Sequence, residues 1–223
     1  MWKLLKQSWY VFQKDFQLEF RTRYALNAIA MFAITTLTAI SFAIGPTRLS
    51  TTVLAPLLWV ALFFSSMSGL AHVFVREEEQ QTADTLRLIL PPNSIWLGKW
   101  LFNVVLLFGL EVIIIPLFIV MMNAQIGNFA IFFVTLGIGS LGLASVATII
   151  AAIISIASSR GALFAVLAFP IALPVLISAI NSTRLALENA SFSDCLPDLQ
   201  VLFSFSVVIV TVSLLVFEFV WRK

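Results

Sequence analysis

Charge is what this sequence has least of. Only 11% of its 223 residues are Asp, Glu, Lys or Arg, less than half the share usual in soluble domains, so a solvated globule is excluded. Cys195 is the only cysteine, so no disulfide forms within the chain, and no C-x-x-C-H motif is present. His72 is the only histidine, and one imidazole with one thiol does not make a clustered metal site. Neither H-E-x-x-H nor G-x-S-x-G occurs, and the phosphate-cradling G-x-x-x-x-G-K-[ST] is missing: Gly98-Lys99 is followed by Trp100 and lacks the earlier glycine. If nucleotide drives this protein, another chain binds it, and the chain itself is expected to be no enzyme.

What the sequence has instead is apolar length. Its composition is 61% hydrophobic with a mean hydropathy of +1.04, and a bilayer core of about 30 Å needs roughly 20 apolar residues per helix. Six runs meet that need, approximately Ala25 to Ile44, Val53 to Val75, Trp100 to Met122, Phe129 to Ile156, Ala162 to Ile180 and Leu199 to Phe219. Backbone amides in lipid must bond within their own segment, and none of these runs alternates as a membrane barrel would. The expected fold is an all-α integral membrane protein, a single six-helix domain with little chain left for anything soluble.

Orientation follows from the basic residues, which are retained on the cytoplasmic side. With the N-terminus inside, Lys3, Lys6, Lys14, Arg21, Arg23, Arg76, Arg87, Lys99, Arg160, Arg222 and Lys223 fall inside, against Arg48 and Arg184 outside. Trp2, Trp9, Trp96, Trp100 and Trp221 fall at the same boundary, where amphipathic rings prefer to sit. Both termini are thus predicted to be cytoplasmic, with a cytoplasmic loop over 76–98 and a periplasmic loop over 181–198. Residues 1–24 have their own periodicity. Leu5, Trp9, Phe12, Phe16 and Phe20 share one face while Lys3, Gln7, Lys14, Gln17 and Arg21 share the other, the pattern of a helix lying in the membrane surface, either as an anchor or as a docking element. No cleavage site for a signal peptide follows the first apolar run closely.

Polar and conformationally special residues inside the runs are candidate functional groups. Glu111, twelve residues into the third run, is expected to be protonated or paired, serving substrate or a second subunit in one reading and an interhelical hydrogen bond in the other. His72 is open to reading as a haem ligand or as a packed, interfacial side chain. Ser140, Ala144, Thr148 and Ala152 form a small-residue ridge for close helix approach, within the chain or to another subunit. Pro170 and Pro174 are expected to kink or break the fifth helix.

The loop 75-VREEEQQTADTLRLILPP-92 is the most polar stretch of the chain and is longer than neighbouring helices require. Its first half, with Arg76, Glu77, Glu78 and Glu79, reads as acidic and solvated. Its second half reads as a short amphipathic helix with Leu86, Ile89 and Leu90 on one face, Thr82 and Asp84 as capping groups, and Pro91-Pro92 as its end. Such a helix either rests on the lipid head groups or is offered to a partner.

Residues 15 to 180 resemble a known family. An acidic cluster after the second span, a short Leu-rich helix closed by proline and the lysine of 96-WLGKW-100 look like the coupling loop of ABC-2 type transporter membrane subunits. More narrowly, 42-FAIGP-46, 54-LAPLLWVALFFSSM-67, 76-REEEQQTADTLRLILPP-92 and 160-RGALFAVLAFPIALPVLI-177 resemble the cytochrome c maturation protein B family, CcmB, the membrane subunit of the haem exporter. The resemblance implies a bacterial inner-membrane permease that works with a CcmA-like ATPase dimer holding ATP. It also implies a CcmC-like haem-handling membrane subunit, a CcmD-like small subunit and the haem chaperone CcmE. Leu86 would enter a groove of the ATPase. Haem is the expected cargo of the system, although one histidine cannot supply two axial ligands, which leans toward transmission of work rather than carriage of haem. Membrane lipid is an expected partner and nucleic acid is not. Two other classes stay open: an ABC-2 type permease for lipid, polysaccharide or drug, and a membrane scaffold with no ATPase.

Overall fold

The computed structural model describes residues 2–45, 49–70, 72–155 and 160–221. Arg48, Ile156, Arg222 and Lys223, named above for topology or helix ends, lie outside the described residues. Within them the chain forms nine helices: α1 (Trp2–Thr22), α2 (Tyr24–Ile44), α3 (Thr51–Leu70), α4 (His72–Glu79), α5 (Ala83–Ile89), α6 (Pro92–Met122), α7 (Phe129–Ser155), α8 (Arg160–Leu187) and α9 (Phe192–Trp221). Six stretches are long and apolar enough to cross a membrane: Ala25–Ile44, Thr51–Glu79, Pro92–Met122, Phe129–Ser155, Val166–Leu187 and Phe192–Trp221. The all-α, multi-span architecture is therefore the one that the apolar runs predict.

The helices outlast the runs, and the expected loops shrink accordingly. α6 begins at Pro92 rather than Trp100, because proline at the first helical position has the right φ and lacks only an amide that would go unbonded there. The expected 181–198 loop is likewise mostly helix, with only 188–191 between α8 and α9. Polar side chains in that stretch find partners inside the bundle: Thr183 Oγ1 accepts from Trp59 Nε1 at 2.8 Å, and Ser182 and Thr135 hydroxyls lie 2.7 Å apart. Nor do Pro170 and Pro174 break α8, which runs as one helix from Arg160 to Leu187. In a bundle, neighbouring side chains and local adjustment accommodate the backbone groups that proline leaves.

α7 is the central helix, packed against α6, α8 and α9, while α2 and α9 lie at the periphery with most of their surface open. The ridge Ser140, Ala144, Thr148 and Ala152 is buried within the chain itself. Small residues set the spacing: a Cβ on Gly139 would lie 2.2 Å from the Trp59 ring, and one on Gly69 would meet Ile29. Asn103 Nδ2 donates to Thr148 Oγ1 at 2.8 Å and Trp100 Nε1 to Ser145 Oγ at 2.8 Å, tying α6 to α7.

α1 departs from a simple two-faced helix. Leu5, Trp9 and Phe20 are exposed, as a membrane-surface helix requires. A third strip, Ser8, Val11, Asp15 and Glu19, is buried against α6. The seat is Gly98, where a Cβ would lie 2.6 Å from both Ser8 O and Val11 Cβ. Arg23, at φ 52°, turns the chain from α1 into α2, and Glu19 Oε1 accepts from the Leu26 amide at 3.0 Å, supplying the cap that α2 lacks from its own first residue.

Candidate functional site

The acidic half of the loop is not a solvated run. α4 carries it as helix up to Glu79, and the chain then reverses through Gln81 in the left-handed region at φ 56°. The Thr82 amide bonds Glu77 O at 2.9 Å and the Gln81 amide bonds Glu78 O at 3.2 Å. That is the paired closure by which helices end with a left-handed residue, and it returns α5 against the end of α4.

Glu77 is only 4% exposed. Its carboxylate accepts from Lys99 Nζ at 2.9 Å, from Lys14 Nζ and from Thr82 Oγ1. Lys99 is fully buried and uses its ammonium protons on Glu77, on Asp15 Oδ2 at 3.1 Å and on Val73 O at 2.9 Å, with the Phe74 ring 5.2 Å away. Lys14 Nζ also lies 3.3 Å from Asp15 Oδ1. Partial burial opposes the charge on Lys14, but Asp15 and Glu77 outweigh it and hold its pKa above the ordinary 10.5. Two ammonium groups thus face two carboxylates in a closed knot joining α1, α4, the α5 entry and α6.

A second tie runs from α5 itself. Arg87 donates to Glu78 Oε1 at 2.7 Å and to Asp84 Oδ1 at 2.7 Å, and its guanidinium lies 4.8 Å over Trp221. Trp221 is buried, stacked on Phe217 at 5.3 Å and edge-on to Phe74 at 5.6 Å. The short helix is therefore fastened to the ends of both α4 and α9.

Several expectations are corrected by this arrangement. Thr82 and Asp84 make no side-chain cap on α5, because Thr82 serves Glu77 and Asp84 serves Arg87. Leu86 and Leu90 do not share an outward face with Ile89; they pack against the core. The apolar groups that α5 presents are Leu88, 89% exposed, and Ile89, 68% exposed, with Pro91 exposed beyond them. Glu79 and His72 are exposed and Arg76 is half-buried, and these three line a common cavity beside the knot. Glu111 is elsewhere, roughly 18 Å further along α6, buried and accepting from Ser140 Oγ. Pro170 and Pro174 sit within α8, the latter half of the bundle, apart from the knot. Among the described residues no group of three or more His, Cys, Asp or Glu side chains is placed to hold a metal ion.

Asp15, Lys14, Arg87, Leu88 and Trp221 join this candidate site without having been singled out for it by periodicity or loop chemistry, and Lys99 stood out only as the lysine of 96-WLGKW-100. A signal existed for two of them. Lys99 stands seven residues inside α6, on a helix that is otherwise apolar there, and Asp15 interrupts a basic and aromatic helix, so the two unusual charges call for each other.

Six helices long and apolar enough to cross a membrane, with a charged knot and a short helix fastened to it, define a polytopic membrane protein. The CcmB protein family model matches residues 6–220, and the chain belongs to the CcmB family. That family is the permease-type membrane component of the haem exporter in the cytochrome c maturation ABC system, which implies an ATPase partner. Among curated proteins none matches the chain.

Proposed function

We propose that this chain is the subunit through which a separate ATPase does work on the membrane, with α5 as the element that receives the stroke. The observation that carries the reading is the two-sidedness of α5: Leu88 and Ile89 point away from the protein while Arg87 and the Thr82 entry are fastened inward. An exposed apolar pair on a seven-residue helix is costly in water and suits a groove on a partner. The partner is a CcmA-like ATPase dimer beneath an inner membrane, with both termini of this chain on its cytoplasmic side.

The ties give the stroke a route. A push on α5 acts on α4 through Thr82–Glu77 and Arg87–Glu78, and on α9 through Arg87–Trp221. The Glu77–Lys99–Asp15 chain passes it to α6 and α1. Helices leave the knot as rigid rods, so a small displacement at this end moves their far ends. The work serves haem handling by a CcmC-like subunit with its CcmD-like companion, and release of the haem-loaded CcmE chaperone.

The test is co-purification of the ATPase from native membrane with Leu88→Glu beside wild type. Loss of one well-packed apolar anchor costs about 2 kcal/mol or more, so retention of the ATPase falls at least about tenfold, and cytochrome c maturation falls with it. Full retention and maturation with Leu88→Glu and Ile89→Glu combined would falsify the assignment of α5.

A further inference from the structure

α1 carries three parallel strips, each one residue later in register than the last. Ser8, Val11, Asp15 and Glu19 are the strip buried in the bundle. Each residue turns a helix by about 100°, so Trp9, Phe12, Phe16 and Phe20 form a second strip beside the first, extended by Trp2 and Leu5. Tyr10, Gln13, Gln17 and Arg21, with Lys3 and Lys6, form the third, and all six of these are exposed. The third strip lies about 200° from the buried one and therefore points away from the bundle. With the aromatic strip in the lipid, that leaves the third strip beside the head groups, and the first span opens at Ala25, directly after α1.

Charge is sorted across these strips. Residues 1–24 contain two acids, Asp15 and Glu19, and both are buried, 8% and 4% exposed. Lys99 and Lys14 hold Asp15, and the Leu26 amide holds Glu19. Lys3, Lys6 and Arg21, with Arg23 just beyond them, have no ion-pair partner among the described residues. The outer face of α1 is thus cationic, with no acid to offset it. An acidic protein surface would also meet these cations, but the strip beside them holds Trp2 at 85%, Trp9 at 56% and Phe20 at 57% exposure, rings that suit the membrane boundary. We propose that α1 binds anionic phospholipid, with Lys3, Lys6 and Arg21 on the phosphates and the aromatic strip at the top of the acyl chains. By drawing Asp15 into the bundle, the knot that seats α1 also clears its opposite side of negative charge. The inference does not depend on the coupling role of α5, whose Leu88 and Ile89 take no part in it.

The full chain is reconstituted in vesicles of equal phosphatidylglycerol and phosphatidylcholine, with bromine on the acyl chains of one lipid at a time, and quenching of tryptophan fluorescence is read. Trp2 and Trp9 are exposed while Trp59, Trp96 and Trp221 are buried, so contact quenching reports chiefly the lipid beside α1. Brominated phosphatidylglycerol quenches more, to the extent set by an enrichment of about fivefold beside α1, which is what one lysine or arginine near an anionic surface supplies. The excess disappears in Lys3→Gln/Lys6→Gln/Arg21→Gln at unchanged helix content, and also in Trp2→Phe/Trp9→Phe, which keeps the cations and removes the reporters. Equal quenching by the two lipids in wild type, or an excess that survives in either folded variant, overturns the proposal. If the triple variant fails to fold, wild type in about 1 M salt decides, because the screening length falls from about 8 Å to about 3 Å; the excess shrinks, and an excess indifferent to salt overturns the proposal. Equal quenching in wild type together with loss of a co-purifying protein from the triple variant would assign the strip to an acidic protein surface instead.

Discussion

Lys99→Met tests whether the knot holds the bundle end together. Lys99 is fully buried, with three acceptors within 3.1 Å, so its removal leaves Asp15 and Glu77 buried with only Lys14 to balance them. Stripping one partner from a buried ion pair costs about 3–5 kcal/mol, because the charge left behind cannot regain water. Lys14 makes similar contacts, yet its side chain is 41% exposed, and pairs open to solvent contribute about 0–1 kcal/mol. At roughly 2–4 °C per kcal/mol for a chain of this size, Lys99→Met lowers the melting temperature by on the order of 10 °C and Lys14→Met by no more than about 4 °C. The assay is tryptophan fluorescence during heating in detergent, since Trp96 and Trp100 flank Lys99. Adding Glu77→Gln to Lys99→Met removes one stranded charge and recovers part of the loss. Equal shifts for the two lysine variants, or no recovery in the double variant, would refute the view that burial sets the strength of this site.

Three other perturbations separate roles within the chain. Gly98→Ala places a methyl against the backbone of α1, so α1 is displaced at a cost of about 1–3 kcal/mol; spin labels placed at Gln13 and Gln80 report a longer separation, and an unchanged separation contradicts the seat. Leu86→Glu puts a charge on the inward side of α5 and lowers thermal stability, whereas Leu88→Glu leaves the stability within about 0.5 kcal/mol of wild type; the reverse order in a melting series contradicts the facing described here. Glu111→Gln keeps an acceptor for Ser140 and preserves both stability and cytochrome c maturation, while loss of maturation at unchanged stability would assign Glu111 a charge-dependent role instead.

The spans were legible because twenty apolar residues in a row leave the backbone one solution in lipid. Their ends were not, because hydropathy fades where a helix leaves the bilayer while its hydrogen bonding continues, as α6 before Trp100 and α8 beyond Ile180 demonstrate. The short helix was legible from its apolar spacing and closing prolines, but its facing was not. Arg87 decides that, by reaching Glu78 and Trp221 and turning Leu86 inward. Glu77 reads as solvated beside two other glutamates, and only the meeting of α1, α4 and α6 distinguishes it from Glu79. A pairing between residues 15, 77 and 99 depends on chain separation that no local period encodes.

Lys99 follows both Asp15 and Glu77 in the chain, and that order has a consequence for biogenesis. A polypeptide emerges from the ribosome N-terminus first, so α1 and α4 are made and meet the membrane before their shared buried cation exists. In the finished fold Trp9, Phe12, Phe16 and Phe20 form a ladder with neighbouring rings 4.7–5.5 Å apart, an aromatic strip of the kind that suits a lipid surface while the seat is not yet made. Arrival of Gly98 and Lys99 supplies the seat and the counter-charge together. α1 is thus made before the residues that fix it, and a nascent chain arrested before α6 carries α1 without its seat.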